Sequence, residues 1–499
     1  MSDDSEQVDS KPEEQGSLRS AMIIGSAWMI GMRWSIRGIG VVSIIILARL
    51  LDPDDFGLIA MSSVFIGFLN VMTSFGVDMA LIQRQDATQG HYDTAWTIRL
   101  LQAIFVTAVV ILCSSLAADY FNEPRVKVLL MVSSISIVIS GLENIGVVAF
   151  RKDLEFHKEF QFKVIPKIIG FFVTIGFVFV FRSYWGLVLG NIFRSCIRVG
   201  LSYRVHPYRP RFSLSEFRDL WSFSQWMLFR NFGMFLRRQV DVFMVGRFFP
   251  AADLGVYRVS QEISEMPTTE LVWPMSRALF PGYAKLSHNP KDLGRAYIKV
   301  LNTLSLIMIP AGVGLALVSE PLTLLALGTK WASAAPVIFW LSLYGVCLTL
   351  SASVQAPLMA LGLMRRVTLL VWCQLFVVLP VVYLAVQQGE LVLVAQAQLG
   401  ASLFLLPMFF FAMTTNGLVT WRAVVSALWR PVVASAVMFA CVTALDSLAI
   451  QVLFAKLVAQ VLVGAVSFVL TGFLLWHLSG RPDGGEQLVM SIIGRKLKR

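Results

Sequence analysis

The chain has 499 residues, of which 56% are hydrophobic and only 15% charged, and its mean hydropathy is +0.70. Soluble globular proteins carry about 25% charged residues, so this composition excludes an ordinary water-soluble enzyme of this length. The formal charge of +11, from 42 basic and 31 acidic residues, does not point to nucleic acid. The basic residues lie mostly between apolar stretches, where the positive-inside rule and anionic lipid headgroups at the cytoplasmic surface account for them.

In chain order, residues 1–20 begin MSDDSEQVDSKPEEQGS. They are acidic and polar, the opposite of the positive n-region of a signal peptide. They are expected to form a disordered cytoplasmic tail, with the first helix retained as a signal-anchor. Successive apolar stretches of about 18 to 25 residues follow, the length that crosses a hydrocarbon core of about 30 Å as helix. The expected spans are 22–48, 58–80, 94–115, 128–149, 162–181, 184–203, 221–247, 254–280, 298–319, 332–352, 367–387, 391–413, 430–449 and 456–477. The chain therefore reads as an all-α polytopic membrane protein of about 14 transmembrane helices.

Arg182 divides the apolar run 162–203 into a tight hairpin. The span 254–280 is interrupted by Glu262, Glu265, Glu270 and Arg277. It reads either as an amphipathic surface helix or as a helix facing a water-filled interior, and the total is thirteen or fourteen accordingly. Counting Lys and Arg between spans and at their ends places 27 on the side of the N-terminus and 8 on the other. Both termini are then cytoplasmic, which requires an even number of spans and favours fourteen.

An internal echo divides the chain. Arg49-Leu-Leu-Asp-Pro-Asp-Asp-Phe-Gly57 follows the first span, and Arg247-Phe-Phe-Pro-Ala-Ala-Asp-Leu-Gly255 follows the seventh, at an offset of 198. Arg49, Asp55 and Gly57 match Arg247, Asp253 and Gly255. Six spans separate the two, so the halves keep one orientation in the membrane. The expected organisation is a six-helix lobe over 21–203, a basic cytoplasmic linker over 204–220 and a second six-helix lobe over 221–413. A terminal helix pair over 430–477 and a basic cytoplasmic tail over 478–499 complete it. Asp52, Asp54 and Asp55 suit the capping of the second span, with Pro53 at its entry.

A few charges lie inside the spans. Arg33 and Arg37 are four residues apart on one face near the middle of the first span. There, exposure to lipid costs about 2.5 to 3.5 kcal/mol each; they either face a cavity and handle an anion or are paired structurally. On the seventh span Arg230, Arg237 and Asp241 share a face, beside Arg238. Arg237 and Asp241 either neutralise each other as an i,i+4 pair or attract and release a phosphate. Glu143, Asp78, Glu262 and Glu265 are candidate carriers of a coupling proton or sodium ion. The five cysteines and five histidines are dispersed without metal-ligand spacing. No nucleotide loop, His-Glu-x-x-His or GxSxG is present, so the chain reads as no enzyme.

The segment ARLLDPDDFGLIAMSSVFIGFLNVMTSFGVDMALIQRQ, Ala48 to Gln85, resembles the polysaccharide flippases of the multidrug/oligosaccharidyl-lipid/polysaccharide exporter superfamily. It is most similar to the branch of colanic-acid exporter-like exopolysaccharide transporters. The residues that carry the resemblance are the leucines, proline and aspartates before Phe56-Gly57, then Gly76-Val-Asp78 and Ala80-Leu-Ile-Gln83-Arg84, with the echo Asp253-Leu-Gly255-Val-Tyr257.

The resemblance implies two six-helix lobes plus a terminal pair in the bacterial inner membrane. It implies translocation of undecaprenyl-diphosphate-linked oligosaccharide units from the cytoplasmic to the periplasmic leaflet, for exopolysaccharide or lipopolysaccharide biosynthesis. It also implies alternating access driven by a proton or sodium gradient, no bound cofactor, and other polysaccharide assembly proteins as further partners. Arg33, Arg37, Arg237 and Asp241 are the cavity groups the resemblance implies; with Arg230, which shares the seventh-span face of Arg237 and Asp241, the arginines are the expected substrate-binding cations and Asp241 an expected ion-coupling group. The competing readings are a multidrug or peptidoglycan-precursor transporter of the same superfamily, or a membrane polysaccharide polymerase or ligase.

Overall fold

The computed structural model describes residues 11–73, 81, 87–153, 155–268, 279, 282–415, 417–447, 451–482, 484–485 and 487; side-chain surroundings are described for these except 11–27, 73 and 218–231. Every described element is helical, and no strand occurs among the described residues. In a bilayer this is what the backbone requires, since a helix satisfies its own N–H and C=O groups where no water is available.

The longer helices are α1 (Lys11–Leu50), α2 (Pro53–Thr73), α3 (Gln89–Phe121), α4 (Arg125–Gly141), α5 (Phe156–Phe181), α6 (Trp185–Val205) and α7 (Phe217–Phe248). They continue with α8 (Ala251–Ser264), α9 (Pro290–Leu317), α10 (Ala334–Ser353), α11 (Met364–Val386), α12 (Leu391–Thr414), α13 (Trp421–Asp446) and α14 (Leu453–Leu478). Among the described residues, ten helices are long and apolar enough to cross a membrane, or eleven when α4 and the bent segment Ile145–Lys152 count as one span. The protein is thus a multi-pass, all-α membrane protein. The helices outside those ten are α4, α6, α7 and α8. Of these, α6 and α7 carry several arginines and α8 is short and bears Glu262.

The chain divides into two compact units, 1–236 and 237–499, with the division inside α7. In the first unit, α5 packs on α6 and α1, α3 on α4, and α4 on α6 and α2. The expected hairpin at Arg182 is where α5 ends: Arg182 adopts φ 46 and its N–H donates to the Val178 carbonyl at 2.8 Å. Close approach of α5 and α6 depends on glycine. A Cβ on Gly186 would lie 2.7 Å from the Val178 backbone, and one on Gly190 would lie 2.2 Å from Thr174 Oγ1. Small residues at a four-residue spacing let membrane helices pack in this way.

The expected span 128–149 is not one helix. α4 stops at Gly141, and the chain turns by 71° into Ile145–Lys152. The aspartates after α1 also do more than cap α2. Asp55 Oδ2 accepts from the Asp52 N–H at 3.2 Å, while its Oδ1 accepts from the Tyr184 N–H at 2.8 Å, at the head of α6. Asp54 pairs with Arg125 at the head of α4, at 2.6 Å. Arg125 also binds Glu123, and that guanidinium holds the Glu123 carboxyl below the usual carboxylate range.

In the second unit, α9 packs on α10 and α13, α12 on α10 and α11, α8 on α10, and α13 on α14. The terminal pair is therefore anchored through α9. Asn302 of α9 donates to the Ala427 carbonyl of α13 at 3.2 Å and accepts from the Gly485 N–H at 2.7 Å.

Candidate functional site: intramembrane polar clusters

The first unit contains an open-sided cavity of about 470 Å³ among α1, α2, α4, α5 and α6. Its polar lining includes Ser62, Asn70, Ser136, Thr174 and Asn191, and among the described residues its charged groups are Lys167 and Arg194, with no carboxylate. Lys167 is eleven residues from the start of α5, and Arg194 is eleven residues from the end of α6. At 1.5 Å per residue each sits about 17 Å from its helix end on that side, well inside the helix.

Arg194 is held in place by its neighbours. A Cβ on Gly170 of α5 would meet the Arg194 aliphatic stem at 2.9 Å, so the stem lies directly across that glycine. The guanidinium Nη2 donates to Asn191 Oδ1, a neutral partner one turn away. Such an arrangement suits an anionic or polyhydroxylated ligand, because it supplies charge and hydrogen bonds where an unoccupied bilayer supplies neither.

Beside this cavity, Glu143 sits in the non-helical break after α4 and is 5% exposed. Arg198 of α6 reaches one of its carboxylate oxygens through Nε and Nη2, and Arg99 of α3 approaches the other at 3.4 Å. The break is pinned by the Tyr203 hydroxyl donating to the Leu142 carbonyl at 2.9 Å and by the Asn144 N–H donating to Ser202 Oγ at 3.0 Å.

The segment 206–216 folds back onto the same region. The Tyr208 hydroxyl donates to Asp93, the Arg211 N–H donates to Asp93 Oδ1 at 2.9 Å, and the Ser213 N–H donates to Thr97 Oγ1 at 3.1 Å. Burial, with the Asp93 carboxylate beside it, pushes the Tyr208 phenol well above its ordinary value.

A second cluster lies in the second unit. Asp241, 4% exposed, accepts from the Tyr257 hydroxyl at 2.8 Å and from Gln398 Nε2 at 2.7 Å. Gln261 Nε2 approaches the same oxygen at 3.4 Å, and Gln261 in turn accepts from Arg258 at 2.8 Å. Arg237 does not pair with Asp241 four residues on; it donates to Gln374 Oε1 of α11 at 2.8 Å. Arg238 faces Glu265 at 3.7 Å.

The expected site residues thus fall in different places. Glu143 is joined to Arg99 and Arg198, and Asp241 to Tyr257 and Gln398. Arg33, Arg37 and Glu262 are half-buried, and neither arginine lines the cavity of the first unit. The side chain of Arg230 and the whole of Asp78 lie outside the described residues. Sequence reasoning missed Arg194 as a site residue, and it counted Arg99, Lys167 and Arg198 with the cytoplasmic charges at the ends of their spans. All three lie within helices. The available signal was Arg194 isolated in an apolar run, with Gly170 in the preceding span. Among the described residues no group of three or more His, Cys, Asp or Glu is placed to hold a metal ion.

A multi-pass helical bundle with polar groups buried among its helices defines a polytopic integral membrane protein. Residues 46–336, more than half of the chain, match the family model described as polysaccharide biosynthesis protein, and the chain belongs to that family. It is 28% identical to the lipopolysaccharide biosynthesis protein WzxC of Escherichia coli strain K12, over 69% of this chain and 71% of that one. It is 22% identical to the teichuronic acid biosynthesis protein TuaB of Bacillus subtilis strain 168, over 69% and 72% respectively. Among solved structures, the lipid II flippase MurJ in an inward closed conformation superposes with a TM-score of 0.71, covering 91% of this chain and 99% of that one at 14% identity. An inward-facing multidrug resistance MATE family transporter superposes with a TM-score of 0.58, covering 76% and 94% at 11% identity. At those identities the likeness shows a shared fold.

Proposed function

We propose that the protein is a flippase that moves a polyprenyl-diphosphate-linked oligosaccharide across the bacterial inner membrane for exopolysaccharide or lipopolysaccharide biosynthesis. The observation that carries this reading is the cavity whose described lining sets Lys167 and Arg194, well inside α5 and α6, among neutral hydrogen-bonding side chains. A diphosphate needs cations and a sugar chain needs hydroxyl and amide partners, whereas the lipid tail needs only the surrounding hydrocarbon. The family and the relatives named for polysaccharide assembly support the same assignment.

In this reading the chain crosses the membrane fourteen times, with both termini cytoplasmic and two six-helix lobes followed by a terminal pair. α6, α7 and α8 cross despite their charges, several of which are partnered, as Arg198 by Glu143, Arg237 by Gln374 and Arg258 by Gln261. Arg33, Arg37, Arg230 and Arg237 contribute to the substrate route. Asp241, a buried carboxylate with neutral donors on it, is the foremost candidate for proton or sodium coupling, with Glu262, Glu265 and Asp78 as further candidates. The substrate branch is that of the colanic-acid-type exporters.

The test is translocation of a fluorescent polyprenyl-diphosphate-linked oligosaccharide in proteoliposomes, with and without imposed proton and sodium gradients, and with a peptidoglycan precursor as competitor. Gradient-dependent leaflet transfer is expected. Active, folded protein that transfers no polyprenyl-linked glycan would refute the assignment.

A further inference from the structure

The break after α4 presents a carboxylate to two guanidiniums at membrane depth, an arrangement the fold goes to some length to maintain. α4 ends where Gly141 meets Ala103 of α3, since a Cβ there would lie 2.5 Å from the Ala103 Cβ. The next residues are then fixed by α6 and by the folded-back segment: Asn144 Nδ2 donates to the Tyr208 carbonyl at 2.7 Å and Asn144 Oδ1 accepts from the Gly146 N–H at 2.9 Å. The result is one carboxylate, Glu143, with one oxygen on Arg198 and the other near Arg99. Two guanidiniums share a single counter-charge.

Arg198 is four residues from Arg194 on α6, so the two lie on one face about 6 Å apart along the axis. Arg194 lines the cavity and has a neutral amide, Asn191, as its hydrogen-bond partner. A row of cations therefore runs from Glu143 to the cavity wall, and Glu143 occupies the end of it nearer the C-terminus of α6.

We propose that Arg198 and Arg99 form an oxyanion site, held by Glu143 in this conformation, which an anionic group of the transported headgroup takes over before reaching Arg194. The oxyanion is a phosphate of the lipid diphosphate or a carboxylate of an acidic sugar; both offer two oxygens to two guanidiniums. Glu143 is thus an internal competitor that keeps the site paired when substrate is absent, and it sets the affinity threshold for loading. This inference rests on the flippase reading.

The test uses full-length protein in nanodiscs of zwitterionic lipid, titrated calorimetrically with farnesyl diphosphate and, separately, with glucuronate. Glu143→Gln is expected to bind at least one of them at least tenfold more tightly than the wild type, a gain of about 1.4 kcal/mol. Adding Arg198→Gln is expected to abolish the gain. Tightening for farnesyl diphosphate alone assigns the site to the diphosphate, and tightening for glucuronate alone assigns it to an acidic sugar.

Unchanged or weaker binding of both by folded Glu143→Gln overturns the proposal, since a purely structural ion pair would lose stability without gaining affinity. Should Glu143→Gln not fold, Arg198→Gln by itself is expected to lose at least tenfold in affinity, and unchanged affinity there overturns it equally. Glycan translocation by the wild type is scored separately. A translocating wild type with insensitive Glu143 removes this inference alone, and a wild type that translocates nothing removes the functional reading.

Discussion

Replacing Arg194 and Lys167 together by methionine separates a transport role from a structural one, because the two predict changes of opposite sign. Both residues sit about 17 Å from those helix ends, and a cation near the centre of a spanning helix costs about 2.5 to 3.5 kcal/mol to insert. Methionine preserves the straight stem that crosses Gly170 and removes the charge. Thermal stability is therefore expected to hold or rise. Transport is expected to fall, because a hydrogen bond between charged partners contributes about 1.5 to 3 kcal/mol, which is roughly 10- to 150-fold in rate or affinity. Leaflet transfer in proteoliposomes measures the second quantity, and melting followed by tryptophan fluorescence in detergent measures the first. Transport equal to wild type in the double variant would refute a substrate role for the cavity. A parallel fall in stability and transport would make the two cations structural.

Tyr257→Phe and Gln398→Leu each remove a donor from buried Asp241 and are expected to lower stability by about 1 to 2 kcal/mol, the upper range for hydrogen bonds within membrane proteins; equilibrium unfolding in mixed micelles measures this, and no loss in either would mean that the carboxylate is satisfied otherwise. Gly190→Leu places a side chain where even a Cβ meets Thr174 at 2.2 Å, so α5 and α6 must separate, with an expected loss of about 1 to 3 kcal/mol seen as a lowered melting temperature. Docking of segment 206–216 should depend on pH through His206. Its burial pushes the imidazole below its ordinary value, against the nearby Asp153 and Glu155 and in the same sense as Lys158 and Arg209. A depressed value in the folded state means that its contribution to stability is complete above about pH 6.5 and is lost as the pH falls below it. Protonation also takes away the Nδ1 acceptor of the Tyr208 N–H. Hydrogen exchange at Tyr208 and Ser213, corrected for intrinsic rates, should therefore accelerate between pH 7.5 and 5.5, and equal protection at both would disprove the coupling.

Much of the architecture is written in apolar run lengths and turn residues. The hairpin at Arg182 and the capped entry at Asp52–Asp55 could be read locally, because one helix crossing and one helix start depend on neighbours within a few residues. The bend at Leu142–Asn144 could not. SGLENIGVV continues an apolar run, and the partners that let the helix break there include Ser202, Tyr203 and Tyr208, some 60 residues later.

The same division governs the charges. That the chain lives in a membrane follows from 15% charged residues, since burying or exposing apolar surface is a sum over composition. Which charges meet is a matter of three-dimensional neighbours. Arg237 and Asp241 share a helical face at i,i+4 spacing, yet the first bonds Gln374 and the second Tyr257 and Gln398. Arg99, Lys167 and Arg198 read as cytoplasmic charges at span ends, yet Arg99 and Arg198 meet Glu143 and Lys167 lines the cavity. A buried charge costs several kcal/mol unless partnered, and those partners come from helices distant in sequence. The sequence by itself determined the solvent this protein inhabits; tertiary packing decided which of its few buried charges neutralise one another and which line a cavity.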